Sequence, residues 1–245
     1  MAKTVAIIQA RMGSERLPGK VMKQADGRPL LQYLLTRLKA SRRLDEIVVA
    51  TSKLAHDDEV ALLAERLGVP AVAGSESDVL DRYYRAAKKH RAGKIIRITA
   101  DCPLLCPATV DATIDDHDRS GCDYTMNDVP ATVPRGYDVE VFSFDVLEKL
   151  NTVATTAPER EHVTSYIAGH PGSFSVNIFK DESFAGFPDA RLCVDTIEDF
   201  QVVRTVIEAV YPRSPAMCHT DVREFLLENP ELCKINASVI QKTVN

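Results

Sequence analysis

Apolar and polar residues follow two different periods along the first 120 positions. Residues 4–10 form a short apolar run that reads as a buried strand. The stretch PLLQYLLTRLKA at 29–40 places leucine at 30, 31, 34, 35 and 38, which is helical spacing. EIVVAT at 46–51 is a second strand, and a helix over 57–67 stops at Gly68 and Pro70. VPAVAG gives a short third strand, and 77–91 a helix for which Ser77 is the predicted N-cap. KIIRIT at 94–99 is the fourth strand, and Pro107 suits the first position of a helix over 107–119. Strand and helix alternate, so the pattern predicts an α/β fold: a mainly parallel sheet with helices on both faces. Ligands of such sheets bind at the carboxyl ends of the strands. The loops after the first and fourth strands are therefore the places to look for chemistry.

The second half is less regular. Residues 138–144 alternate and read as a strand, 157–169 as a helix, and 173–179 as a strand. RLCVD at 191–195 reads as a strand ending in a carboxylate, followed by a helix over 198–211 and a helical tail at about 212–245. No repeat, low-complexity tract or Pro/Gly/Ser linker divides the chain. The expectation is one domain over 1–245, with about 125–190 inserted as a small β subregion that covers the substrate or forms a dimer surface.

Composition narrows the class. A chain of 245 residues buries a sizeable core without disulfide or metal staples. Hydrophobic residues at 45% and charged residues at 27% exclude wholesale disorder. A net charge of −5 argues against nucleic acid as the main partner. No apolar run approaches the ~20 residues that span a bilayer, and the N-terminus turns polar too soon for a signal peptide. A cytoplasmic protein is expected. The six cysteines, at 102, 106, 122, 193, 218 and 233, contain no Cys-x-x-Cys pair, so they read as reduced structural thiols.

The loop after the first strand carries the argument. Gln9-Ala10-Arg11-Met12-Gly13-Ser14-Glu15-Arg16-Leu17-Pro18-Gly19-Lys20 holds three cations, two glycines and a serine. Glycines let backbone N–H groups approach an anion, and Lys and Arg neutralise it, which is the composition of a polyphosphate cradle. It is not a Walker A loop, because five residues separate the glycines and Val21 stands where a magnesium-binding Ser or Thr would follow.

The string QARMGSERLPGKVM resembles the signature of the CMP-sugar-acid synthetase superfamily, the cytidylyltransferases that activate KDO and sialic-type sugars. It is most similar to the SpsF-like branch of spore coat polysaccharide biosynthesis. Four further blocks continue the resemblance to about residue 210. The resemblance implies a Rossmann-like, GT-A-like nucleotide-diphospho-sugar transferase fold and a loop that binds the triphosphate of CTP. Gln9, Ala10, Arg11, Gly13, Ser14, Arg16 and Lys20 are the matching nucleotide-binding positions. In Arg97-Ile98-Thr99-Ala100-Asp101-Cys102-Pro103-Leu104, Asp101 matches the family's metal-binding strand end, with Ala100 where Gly is usual. In Arg191-Leu192-Cys193-Val194-Asp195-Thr196-Ile197-Glu198-Asp199-Phe200, Asp195 matches the second ligand to Mg²⁺, with Cys193 replacing Thr. Asp199 is read instead as serving the first turn of the next helix. Gly74-Ser75-Glu76-Ser77-Asp78-Val79-Leu80-Asp81-Arg82-Tyr83 supplies Ser75, Asp78 and Arg82 as candidates near cytosine and ribose. Arg135, Glu140, Arg160, Glu161 and His162 are the acceptor-side candidates, the two arginines through forked hydrogen bonds to an anionic group.

The implied reaction is Mg²⁺-dependent nucleotidyl transfer from CTP to an acidic sugar or a phosphorylated or phosphonate acceptor, with Arg11, Lys20, Asp101 and Asp195 as the catalytic set. A homodimer is implied by the superfamily, and a monomer stays open. Three rivals stand beside this reading. A sugar-1-phosphate nucleotidyltransferase would use a more glycine-rich loop. A glycosyltransferase would use an Asp-x-Asp, for which only Asp116-His117-Asp118 has the spacing. A non-catalytic nucleotide-binding scaffold would tolerate loss of the charged residues, which are intact here.

Overall fold

The computed structural model describes residues 3–127 and 133–241. β1 (Lys3–Gln9) runs through the middle of the sheet with Val5, Ala6, Ile7 and Ile8 fully buried. Val5 and Ile7 belong to one apolar cluster, and Ala6 and Ile8 to another. Side chains alternate across a strand, so a strand covered on both faces must be apolar at every position. After the loop at 10–20, a hairpin of β2 (Gln24–Ala25) and β3 (Arg28–Pro29) leads into α1 (Leu30–Leu38). Leu30, Leu31, Leu34, Leu35 and Leu38 are all buried.

β4 (Glu46–Ser52) pairs in parallel with β1. α2 (Asp58–Arg66) connects it to β5 (Ala71–Gly74), which pairs in parallel on the outer side of β4. α3 (Val79–Lys89) returns the chain to β6 (Ala92–Thr99), parallel to β1 on its other side. These strands therefore lie in the spatial order β5-β4-β1-β6. α4 (Pro107–Ser120) follows β6, with Pro107 in its first turn as predicted.

The second half extends the same sheet. β7 (Tyr124–Met126), β8 (Glu140–Ser143) and β9 (Val176–Ile178) complete the order β5-β4-β1-β6-β8-β7-β9. β8 runs antiparallel to both β6 and β7, and β9 is parallel to β7. α5 (Phe144–Val153), α6 (Ala157–Glu161) and α7 (Ser165–Gly169) lie between β8 and β9; α8 (Ile197–Val210), α9 (His219–Glu228) and α10 (Leu232–Ile235) follow. No helix among the described residues is long and apolar enough to cross a membrane.

Three local expectations are corrected. The N-cap of α3 is Asp78 rather than Ser77: its carboxylate accepts the Asp81 amide at 2.9 Å. The helix expected over 157–169 breaks into α6 and α7, because Val163 between them has φ +50°. Residues 191–195 form no strand. Their backbone makes an isolated bridge with Arg135, and the Val194 amide donates to the Asp101 carbonyl at 2.8 Å. That crossing needs Gly136: a Cβ there would stand 2.5 Å from the Leu192 carbonyl carbon, and its φ is +109°.

Candidate active site

A cleft of about 350 Å³ opens where β1 and β6 end. Its rim on the β1 side is the 10–20 loop, which is braced before any ligand is considered. The Met12 amide donates to the Asp57 carboxylate at 2.6 Å, and Asp57, fully buried, also accepts from the Ser52 hydroxyl at the end of β4. The Met12 carbonyl accepts from the amides of Ser14 and Gly19, both at 2.9 Å. Gly19 takes a left-handed conformation, φ +68°, that turns the chain into Lys20.

Lys20 is the centre of the site. Its Nζ lies 2.7 Å from Asp101 Oδ2 and 2.8 Å from Asp195 Oδ1. Asp101 is placed by the end of β6, where the Ala100 amide donates to the Gln9 carbonyl. Asp195 is placed by the segment that hydrogen-bonds to the Asp101 backbone. Burial opposes the charge on Lys20, but Asp101 and Asp195 outweigh it and hold its pKa above that of an ordinary lysine. Burial likewise opposes ionisation of Asp101, and Lys20 outweighs it, so the Asp101 pKa is lowered. Asp195 Oδ2 also receives Arg16 at 2.9 Å and Arg191 at 2.6 Å. Below the carboxylates, burial pushes the Cys102 and Cys193 thiols well above the usual range, so they are protonated packing groups.

Two oxygen-donor carboxylates already share one cation, and hard oxygen donors of this kind suit a divalent ion. Among the described residues no group of three or more His, Cys, Asp or Glu side chains converges on a point. The cleft thus offers a carboxylate pair rather than a closed metal cage.

The opposite rim comes from α6 and the turn after it. Glu161 pairs with Arg11 at 3.2 Å, and Glu76 approaches Arg11 at 3.6 Å. His162 lines the cleft with its pKa lowered, by burial first and by Arg97 and Arg11, against Glu161. Beneath it runs a polar chain. Arg97 donates to Gln9 Oε1 at 3.3 Å and pairs with Glu140, whose other oxygen accepts the Thr164 hydroxyl at 2.7 Å. Gln9 in the floor and Thr164 beside His162 are thereby linked through one ion pair.

The structure gathers Gln9, Arg11, Gly13, Ser14, Arg16, Lys20, Asp101, Glu161, His162 and Asp195 around the cleft. Other candidates are engaged elsewhere. The Ala10 amide donates to the Ala50 carbonyl, and its side chain is buried. Ser75 accepts the Asp78 amide in the turn before α3. Arg82 is buried behind that turn, donating to the carbonyls of Ser75 and Glu76. Asp78 and Arg160 face each other in a forked pair at 3.0 and 2.7 Å, which ties α3 to α6. Glu140 is held by Arg97 and Thr164, so an acceptor would meet it already paired. Arg135 lies 3.7 Å from Asp138, on the segment that bridges to Arg191. Asp199 is the third residue of α8 and closes a capping box with the N-cap Thr196. Sequence reasoning assigned no role to Asp57, Glu76 or Arg191. Glu76 and Arg191 lie within the family-like segments 74–83 and 191–200; nothing in the sequence marks Asp57.

Comparisons with known proteins identify the chain's relatives. A family model described as "Cytidylyltransferase" matches residues 5–223. The spore coat polysaccharide biosynthesis protein SpsF of Bacillus subtilis is 32% identical over 230 residues, 92% of this chain and 94% of that protein. A 3-deoxy-manno-octulosonate cytidylyltransferase of Acidobacterium capsulatum is 25% identical over 219 residues, covering 86% of this chain and 88% of its own length. A solved cytidylyltransferase from Leptospira borgpetersenii superposes with a TM-score of 0.89 at 32% identity, covering 99% of this chain and 100% of its own.

Proposed function

The chain belongs to the cytidylyltransferase family, and from that premise we propose that it transfers CMP from CTP to an acidic sugar, with Mg²⁺ as the metal. The observation that carries the site assignment is the placement of Lys20 between Asp101 and Asp195, at the end of a loop that also presents Arg11, Ser14 and Arg16. The names of the spore coat and 3-deoxy-manno-octulosonate relatives favour an acidic sugar for a surface polysaccharide as acceptor.

In this reading Arg11, Arg16 and Lys20 receive the triphosphate, and their charge stabilises the pyrophosphate that departs. Asp101 and Asp195 would hold Mg²⁺, which when bound neutralises phosphate charge and orients the nucleophile. The acceptor hydroxyl oxygen forms a bond to the α-phosphorus. The bond from that phosphorus to the α–β bridging oxygen breaks, and pyrophosphate leaves with the electron pair. His162, kept neutral by its surroundings, can take the hydroxyl proton. Positioning and charge carry the catalysis, as in other phosphoryl-type transfers.

The test is pyrophosphate release from each of the four NTPs, with a panel of acidic sugars, with and without Mg²⁺. Release confined to CTP, an acidic acceptor and a divalent ion is the expected result. Equal rates with all four NTPs would sink the cytidine assignment, and release without acceptor would sink the transfer.

A further inference from the structure

We propose that Arg191 is a positioning residue that aims Asp195 into the cleft independently of the phosphate loop. The inference rests on the cytidylyltransferase reading and extends it to a residue with no assigned role.

Three cations hold Asp195, and they are not equivalent. Lys20 and Arg16 come from the 10–20 loop, and both are groups that a triphosphate attracts. Arg191 is fixed by other partners. Its Nη2 donates to Asp195 Oδ2 at 2.6 Å, its Nε to Asp199 Oδ1 at 3.0 Å, and its Nη1 to Gln241 Oε1 at 2.6 Å. All three nitrogens are thus used, with only 11% of the side chain exposed.

The partners are themselves anchored. Asp199 has no exposed surface, and its second oxygen accepts the amides of Asp195 and Thr196, both at 3.0 Å. The buried Asn236 donates to Asp199 Oδ1 at 2.8 Å and to the Arg191 carbonyl at 2.9 Å. Asp199 in the α8 capping box therefore holds both the Asp195 backbone and the guanidinium that orients its carboxylate. The segment after α10 closes the assembly through Asn236 and Gln241. If phosphates draw Lys20 and Arg16 away, Arg191 is the cation that remains to hold the Asp195 carboxylate in place. Groups standing behind a ligating carboxylate act in this way, and losing one typically costs roughly 10- to 100-fold in metal affinity or activity.

The test measures Mn²⁺ binding by electron paramagnetic resonance in the presence of CTP, and kcat and KM for pyrophosphate release, on wild type, Arg191→Gln and Arg191→Lys. The expected result for Arg191→Gln is Mn²⁺ affinity and kcat each lowered roughly 10- to 100-fold, with KM for CTP within about threefold of wild type. Arg191→Lys, which keeps the charge but cannot span Asp195, Asp199 and Gln241, should recover only part of the loss. Wild-type Mn²⁺ affinity in folded Arg191→Gln would overturn the proposal. So would a raised KM for CTP with unchanged kcat, since that would make Arg191 a phosphate ligand. Should Arg191→Gln fail to fold, wild-type behaviour of Arg191→Lys would overturn it. If wild type itself neither binds Mn²⁺ with CTP nor releases pyrophosphate, the underlying reading fails, and this proposal with it.

Discussion

The two halves of the sheet deliver their site residues by different physics. Up to α4, the sheet strands β1, β4, β5 and β6 run four to eight residues in parallel pairing, and their buried apolar positions, which cover both faces of β1 and β4, anchor them in the core. Lys20 and Asp101 follow such ends. Beyond α4, the strands are three or four residues long, and the residues facing the cleft sit on irregular segments. Glu161, His162 and Asp195 are held there by charge: Arg97 with Glu140, Arg160 with Asp78, and Arg191 with Asp199. One half positions its chemistry through the core and the other through buried or half-buried ion pairs. The first arrangement tolerates changes of surface charge; the second concentrates its vulnerability in a few contacts.

That contrast can be broken at several points. The largest effect should come from Glu140→Gln, which leaves the mostly buried Arg97 without its counter-ion. Breaking one side of such a pair costs roughly 3–5 kcal/mol, and chemical denaturation would show it. A loss no greater than that of an ordinary surface substitution would remove the charge-held half of the comparison. Next come Lys20→Ala, Asp101→Asn and Asp195→Asn, each expected to lower kcat by at least ~100-fold, about 2.7 kcal/mol. Near-normal turnover in Asp195→Asn alone would mean that the second half contributes less to the chemistry than the first.

A smaller effect separates His162 from its neighbours. Its pKa lies below the ordinary ~6.5, so it is neutral at neutral pH and gains a proton only as pH falls through the lowered value. The rate should then drop on an acid limb that begins below pH ~6.5, and His162→Gln should abolish that limb. The same shift costs stability: the unfolded chain takes up the proton more readily, so folding weakens as pH falls from the unfolded to the folded pKa. Smallest of all, Asp78→Ala removes the α3 cap and the partner of Arg160. About 1–2 kcal/mol is expected from a cap plus a part-exposed pair, read from thermal melts.

The same contrast governs how much the sequence discloses. Strands that feed the core leave apolar runs, so β1, β4, β5 and β6 are legible to within two or three residues. The cationic loop announced itself by composition. RLCVD carries a short apolar run that reads as a strand, yet its backbone bonds to Arg135, Asp101, Asp199 and Asn236 rather than to a neighbouring strand, contacts that no local pattern encodes. The break at Val163 has no glycine or proline to mark it. Asp78, Arg82 and Arg160, candidates for their chemistry, have partners among themselves and the backbone, which no local pattern discloses. Asp57, which braces the loop from 45 residues away, is visible only in three dimensions.

The bracing has a kinetic corollary. A flexible anion-binding loop gives up conformational freedom when it closes on its ligand, and that loss weakens capture. With Met12 fixed from both its amide and its carbonyl, the freedom of this loop has already been surrendered during folding. Even a fragment as small as inorganic pyrophosphate should then find the loop ready to receive it. Departure of that product, rather than entry of the nucleotide, becomes the event the loop retards, and strong product inhibition by pyrophosphate is the trace this should leave in steady-state kinetics.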